Sequence, residues 1–127
     1  MQTMQEQRKV LAIDDDDSNI EILKVILEAD YELETASTGE EALERLSKFQ
    51  PDVILLDVMM PGIDGYQFCR RIRNDFDLQD TAIVMVSAKG TPSEELEAYA
   101  AGADNFLSKP IDDRELLSIV REHCADY

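Results

Sequence analysis

The 127-residue chain has no tryptophan, one histidine and two cysteines. Cys69 and Cys124 lie far apart and form no CxxC pair, which excludes a zinc ribbon or a thioredoxin-type redox motif. Each falls at an apolar position of an expected helix, where free cysteine packs as a small hydrophobe. His123, among polar neighbours near the C-terminus, suits a helix end and not a catalytic or phosphorelay role. Positive charge is scarce as well. Twelve Lys and Arg against 28 Asp and Glu leave a formal net charge of −16. Such a chain repels nucleic-acid phosphates and acidic membrane surfaces, and no basic patch offsets the repulsion. Direct nucleic-acid binding is therefore not expected. No run approaches the roughly 18 apolar residues of a membrane span. The segment from Met1 to Lys9 is polar and lacks the apolar middle of a signal peptide. These absences leave a cytoplasmic protein without membrane association as the expectation.

What is present is enough apolar material for one compact domain, 44% of residues. The whole chain, 1–127, reads as that domain, with residues 1–8 as a polar N-terminal extension. Short apolar runs alternate with longer amphipathic ones, the pattern of an α/β protein with a parallel sheet. Val10-Leu11-Ala12-Ile13, Val53-Ile54-Leu55-Leu56 and Ile83-Val84-Met85-Val86 are continuous apolar runs that suit strands buried on both faces. Residues 32–36 alternate and read as an edge strand, and Asn105-Phe106-Leu107 as a short fifth strand. Helical stripes fill the gaps: Ile20, Leu23 and Leu27; Leu43, Leu46 and Phe49; Phe68, Ile72 and Phe76; Leu116, Val120 and Cys124. Capping boxes are expected at Ser18 with Glu21, Thr38 with Glu41 and Thr91 with Glu94. Pro92 fits the first position of the fourth helix, and Gly102 fits its left-handed end. That helix, from about Pro92 to Ala101, offers only Leu96 and Tyr99 as large apolar groups and should be the least firmly anchored. Five βα units then give a doubly wound sheet.

In open α/β sheets, ligands lie beyond the carboxyl ends of the strands. After the first strand come Asp14, Asp15, Asp16 and Asp17; the third ends at Asp57; Ser87 and Ala88 follow the fourth; Ser108, Lys109 and Pro110 follow the fifth. Aspartates after strands often cap helices or turns, and Asp17 fits that role. Asp57 does not, because it follows four apolar residues at a strand end. Two carboxylates about 5 Å apart repel by roughly 3 kcal/mol at an effective dielectric of about 20. Something positive belongs among them. Lys109 supplies one charge, and a divalent cation with oxygen ligands supplies the rest. Magnesium suits the set, since it takes one or two carboxylates, keeps waters and accepts phosphate oxygens.

Four segments, in order and at the right strand ends, carry a resemblance: Ile13-Asp14-Asp15-Asp16; Leu55-Leu56-Asp57-Val58-Met59-Met60-Pro61-Gly62-Ile63-Asp64-Gly65; Val86-Ser87-Ala88; and Gly102-Ala103-Asp104-Asn105-Phe106-Leu107-Ser108-Lys109-Pro110. From Val10 to about Val120 the chain resembles the receiver domains of two-component response regulators, of the single-domain chemotaxis type. The resemblance implies a flavodoxin-like (βα)5 fold with strand order 2-1-3-4-5. It implies a phosphoacceptor switch rather than an enzyme, beyond self-phosphorylation from phosphodonors and autodephosphorylation. Asp57 matches the phosphoacceptor, served by a sensor histidine kinase or a histidine phosphotransfer protein. Asp15 matches the direct ligand of Mg2+, with Mn2+ as a substitute, and Asp14 the ligand that reaches it through water. Asp57 and the backbone carbonyl of Met59 complete the metal set. Lys109 matches the lysine that pairs with Asp57 and then with phosphate, and its bond to Pro110 is cis in the family. Ser87 and Phe106 match the hydroxyl and aromatic switch positions. They point to the face made by the fourth helix, fifth strand and fifth helix as the surface for a homodimer or an effector. Met59 and Lys89 match the two positions that tune the lifetime of the phosphoryl group.

Two other readings compete. Asp14-x-Asp16-x-Ser18 after an apolar strand also looks like the first motif of haloacid-dehalogenase-like phosphatases, with Asp14 as nucleophile. That reading leaves Asp57 and the Met-Met-Pro-Gly loop without a function. A receiver-like interaction module that takes no phosphate is the other; it would need none of the acidic set, Ser87 or Lys109.

Overall fold

The computed structural model describes residues 8–60, 62–76, 78 and 80–124. Residues 1–7 of the expected extension, and Pro61 of the acceptor loop, lie outside the described residues. The elements run β1 (Lys9–Ile13), α1 (Asp17–Leu27), β2 (Glu32–Ala36), α2 (Gly39–Leu46), β3 (Val53–Asp57), α3 (Gly65–Asp75), β4 (Ala82–Ser87), α4 (Pro92–Ala100), β5 (Asn105–Ser108) and α5 (Asp113–His123). All four neighbouring pairs of the main sheet are parallel, in the order β2-β1-β3-β4-β5. Between β3 and α3, Met59–Met60 pairs antiparallel with Ile63–Asp64, a small hairpin that strand periodicity did not announce.

The continuous apolar runs are explained by two cores. Successive side chains of a strand point to opposite faces. Leu11, Ile13, Ile54, Leu56, Ile83 and Met85 pack under α2, α3 and α4. Val10, Ala12, Val53, Leu55, Val84 and Val86 pack against Ile20, Leu23 and Leu27 of α1 and Leu116 and Val120 of α5. Both faces are covered, so alternation of apolar and polar residues disappears from the central strands.

The helix ends follow local chemistry, with differences from expectation. Asp16, not Ser18, caps α1: its carboxylate accepts from the Ser18 N–H at 2.8 Å. Thr38 caps α2, but the Glu41 carboxylate returns to Ser37 instead of to the cap. Phe49 lies beyond the end of α2, half-buried, with the Lys9 ammonium 5.7 Å from its ring. Phe76 and Cys124 are the residues at which α3 and α5 end, and both are half-buried. Arg8 does not belong to a free extension, because its carbonyl accepts from the Glu32 N–H beside β1. Gly102 ends α4 at φ +110°, the left-handed region where a Cβ is disfavoured. α4 buries only Ala98 and leaves Leu96 71% exposed, so its anchoring to the sheet is slight.

Candidate functional site

Sheet register assembles the rim. Asp57 pairs with Val86, so the acceptor candidate stands one step below Ser87 on the adjacent strand. Ser87 pairs with Ser108, which puts Lys109 one step beyond. The ladders continue past the strand ends: the Asp14 N–H donates to Ala36, Val58 to Val86 and Lys109 to Ser87. The rim residues are thus held by backbone bonds rather than left on loose loops. The Lys109–Pro110 peptide is cis, as the resemblance implied.

Asp57 is 5% exposed and Asp14 4%, whereas Asp15 is exposed. Oxygens of these three carboxylates lie within 4.8 Å of one another. Lys109 Nζ sits 3.5 Å from an oxygen of Asp14 and 3.5 Å from one of Asp57. One ammonium therefore serves two buried carboxylates. The Met59 N–H donates to Asp57 at 3.3 Å, and the Asp16 N–H donates to Asp14 at 2.9 Å. Asp15 makes no hydrogen bond or ion pair among the described residues.

The balance of these forces leaves Asp57 pushed up to about 6. Burial raises it most, the Asp14 charge raises it further, and Lys109 and the Met59 N–H pull it back. Negative charge is undercompensated at the rim. An all-oxygen donor set with one exposed carboxylate and two partly neutralised ones fits a hard divalent cation. The three carboxylates present thus fit magnesium in their donor chemistry, and Asp15, Asp14 and Asp57 would hold it.

Gly65 makes the acceptor loop possible. It opens α3 directly against the chain that follows Asp57, and a Cβ there would meet Val58 Cα and O at 2.7 Å and Asp57 O at 2.9 Å. None of the three atoms can yield, since all are backbone. The Gly65 N–H donates to Val58 O at 3.0 Å, and Asp64 caps α3.

Ser87 is 1% exposed. Its hydroxyl donates to Glu94 of α4 and accepts from the Lys89 N–H at 3.2 Å. Phe106 is half-buried and packs on the core that includes Ala98, Ala101 and Ala103. Met59, 68% exposed, and Lys89, also exposed, flank the rim. Two features escaped the sequence reading. Thr91-x-x-Glu94 was legible only as a capping box, yet the Glu94 carboxylate turns inward to Ser87. Arg73 gave no signal at all. Its guanidinium donates to the Gly102, Leu78 and Thr81 carbonyls and to Asp104, tying α3 to the segments before β4 and after α4.

Cys69 and Cys124 stay outside this site. Burial pushes both thiols up to about 11, which makes them poor nucleophiles at neutral pH.

The chain matches the family model of the response regulator receiver domain over residues 10–121. It belongs to that family. The receiver is 39% identical over 114 residues to the response regulator PleD of Caulobacter vibrioides, covering 89% of this chain and 25% of PleD. It is 36% identical over 124 residues to the response regulator Rre1 of Synechocystis, covering 96% of this chain and 54% of Rre1. The chain thus spans about a quarter to a half of the curated relatives it matches. Among solved structures, the chemotaxis protein CheY4 of Vibrio cholerae matches with a TM-score of 0.85 at 36% identity, covering 91% of this receiver and 98% of that chain. Membership sets aside the dehalogenase-like reading, and so does Asp16, whose carboxylate caps α1 instead of standing ready as an acid. No helix among the described residues of the receiver is long and apolar enough to cross a membrane.

Proposed function

We propose that this receiver is a phosphoacceptor switch in which Asp57 takes a phosphoryl group from a histidine kinase or a histidine phosphotransfer protein. The observation that carries this reading is the crowding of Asp14, Asp15 and Asp57, with a single ammonium paired to Asp14 and Asp57. An Asp57 carboxylate oxygen attacks phosphorus, the phosphorus–nitrogen bond of the donor imidazole breaks, and an acyl phosphate forms. Burial and Asp14 raise the proton affinity of Asp57, and with it the nucleophilicity, while leaving it mainly ionised at neutral pH. Lys109 then shifts from carboxylate to a phosphate oxygen as a point charge. When bound, magnesium neutralises charge on the transferring group. The Ser87 hydroxyl donates to the new phosphate, and the Phe106 ring moves into the space it leaves, altering the face made by α4, β5 and α5. That face would serve a homodimer or an effector.

Beryllofluoride with magnesium, a mimic of the acyl phosphate, tests the reading. Wild type should show chemical-shift changes around Asp57 and Ser87, and Asp57→Asn should show none. Equal binding by the variant would contradict the assignment.

The same geometry sets how long the signal lasts. Hydrolysis needs a water in line behind phosphorus, which breaks the acyl phosphate into carboxylate and inorganic phosphate. Met59 offers no useful acceptor and Lys89 only donors, so neither can accept a hydrogen bond from that water and aim its lone pair at phosphorus. A phosphoryl lifetime of minutes or longer follows. Met59→Asn combined with Lys89→Glu should shorten it about tenfold, or about 1.4 kcal/mol of barrier. Phosphate release in saturating magnesium reads this directly; equal lifetimes would refute control by water access at these positions.

A further inference from the structure

The switch hydroxyl has one proton, and in this chain it is already committed. Ser87 Oγ donates to Glu94, the third residue of α4. The Glu94 N–H is held in turn by Thr91 Oγ1 at 3.2 Å. A glutamate at this position of a capping box would ordinarily reach back to the cap backbone. Here the carboxylate leaves the cap and enters the cleft between α4 and the end of β4. A second, independent feature lies beside it. The Tyr66 hydroxyl is buried without a hydrogen-bond partner among the described residues. Its phenol is raised by burial first and then by the charges of Glu94 and Glu97. An unpartnered donor therefore stands within the electrostatic reach of the carboxylate that holds Ser87.

We propose that Glu94 is the positioning residue of the switch: its carboxylate holds the Ser87 hydroxyl away from the phosphoryl group at rest and carries α4 with it on release. This rests on Asp57 as acceptor and Ser87 as phosphate donor. A hydroxyl with one proton cannot donate to Glu94 and to a phosphate oxygen together. Phosphate binding must therefore break the Ser87–Glu94 bond. The released carboxylate then faces a phosphoryl dianion without its donor and is driven off. Because α4 buries only Ala98, little else holds its first turn to the sheet, so displacement of Glu94 displaces the helix.

The test is a double-mutant cycle on beryllofluoride affinity in saturating magnesium, with Glu94→Ala, Ser87→Ala and both together. Glu94→Ala should tighten binding about tenfold in the wild-type background and leave it nearly unchanged in Ser87→Ala, which has no hydroxyl to release. Glu94→Asp, one methylene shorter, should tighten like alanine, and Glu94→Gln, which keeps the reach but not the charge, should fall between. Amide exchange in residues 91–96 of unliganded Glu94→Ala should approach that of the beryllofluoride-bound wild type. Equal tightening with and without Ser87 would mean plain charge repulsion and would overturn the proposal while leaving the acceptor reading intact. No binding to wild type would instead remove the acceptor reading and this inference with it.

Discussion

Asp57→Asn is expected to stabilise the metal-free protein by about 2 to 3 kcal/mol near pH 7.5. The unfolded carboxyl ionises near 3.9. In the folded protein burial and Asp14 push the same group up to about 6. Between these values the native state binds more protons than the unfolded state, so stability falls as pH rises through about 4 to 6. Above that window the penalty is complete, and a neutral amide of nearly the same shape does not suffer it. Below pH 4 the acid is protonated in both states and the gain should vanish. Urea unfolding in chelator across pH 3.5 to 8 reads the effect. Magnesium should shrink the gain, because a cation among the carboxylates relieves the repulsion the variant removes. A destabilised variant at neutral pH would mean that Asp57 serves the fold.

The opposite sign is expected at Arg73. Its side chain makes four donor contacts, three of them to carbonyls on two segments, and Asp104 binds both the guanidinium at 2.7 Å and the Ile83 N–H at 2.9 Å. Hydrogen bonds to charged groups are worth about 1.5 to 3 kcal/mol each, less where water can replace the donor. Asp104 is 43% exposed, so its share is small; the carbonyl contacts hold most of the effect. Arg73→Ala should therefore lose about 2 to 4 kcal/mol, a large part of the 5 to 15 kcal/mol typical of a domain. Arg73→Lys should recover little, since an ammonium cannot span the fork. A loss below about 0.5 kcal/mol in urea unfolding would show that the network is redundant.

These two residues mark what the sequence could and could not reveal. The central strands were legible because burial on both faces leaves four-residue apolar runs, and the rim was legible because Asp14, Asp57 and Ser87 each directly follow such a run, with Lys109 just past the short fifth strand. Asp57 is the last residue of β3, as expected, whereas Ser87, expected to follow the fourth strand, is the last residue of β4, since the ladder bonds extend to the site itself. Helix starts were less secure. Asp16 displaced Ser18 as a cap because either oxygen-bearing side chain can take the first free N–H, and the choice depends on where the strand releases the chain. Arg73 and Glu94 were invisible for a deeper reason. Their partners are backbone carbonyls or a hydroxyl brought near by folding, and nothing in local periodicity records that proximity. The Met59–Met60 hairpin was hidden likewise, because two-residue strands leave no period to read.

The central claim is that Asp57, and no other acid of the rim, carries the phosphoryl group. The most direct measurement is incubation with acetyl phosphate and magnesium, reduction of the acyl phosphate with borohydride, and mapping of the modified peptide by mass spectrometry. One phosphoryl group per chain should appear, with the reduced residue at Asp57 and no incorporation into Asp57→Asn. Modification at Asp14, or undiminished labelling of Asp57→Asn, would contradict it.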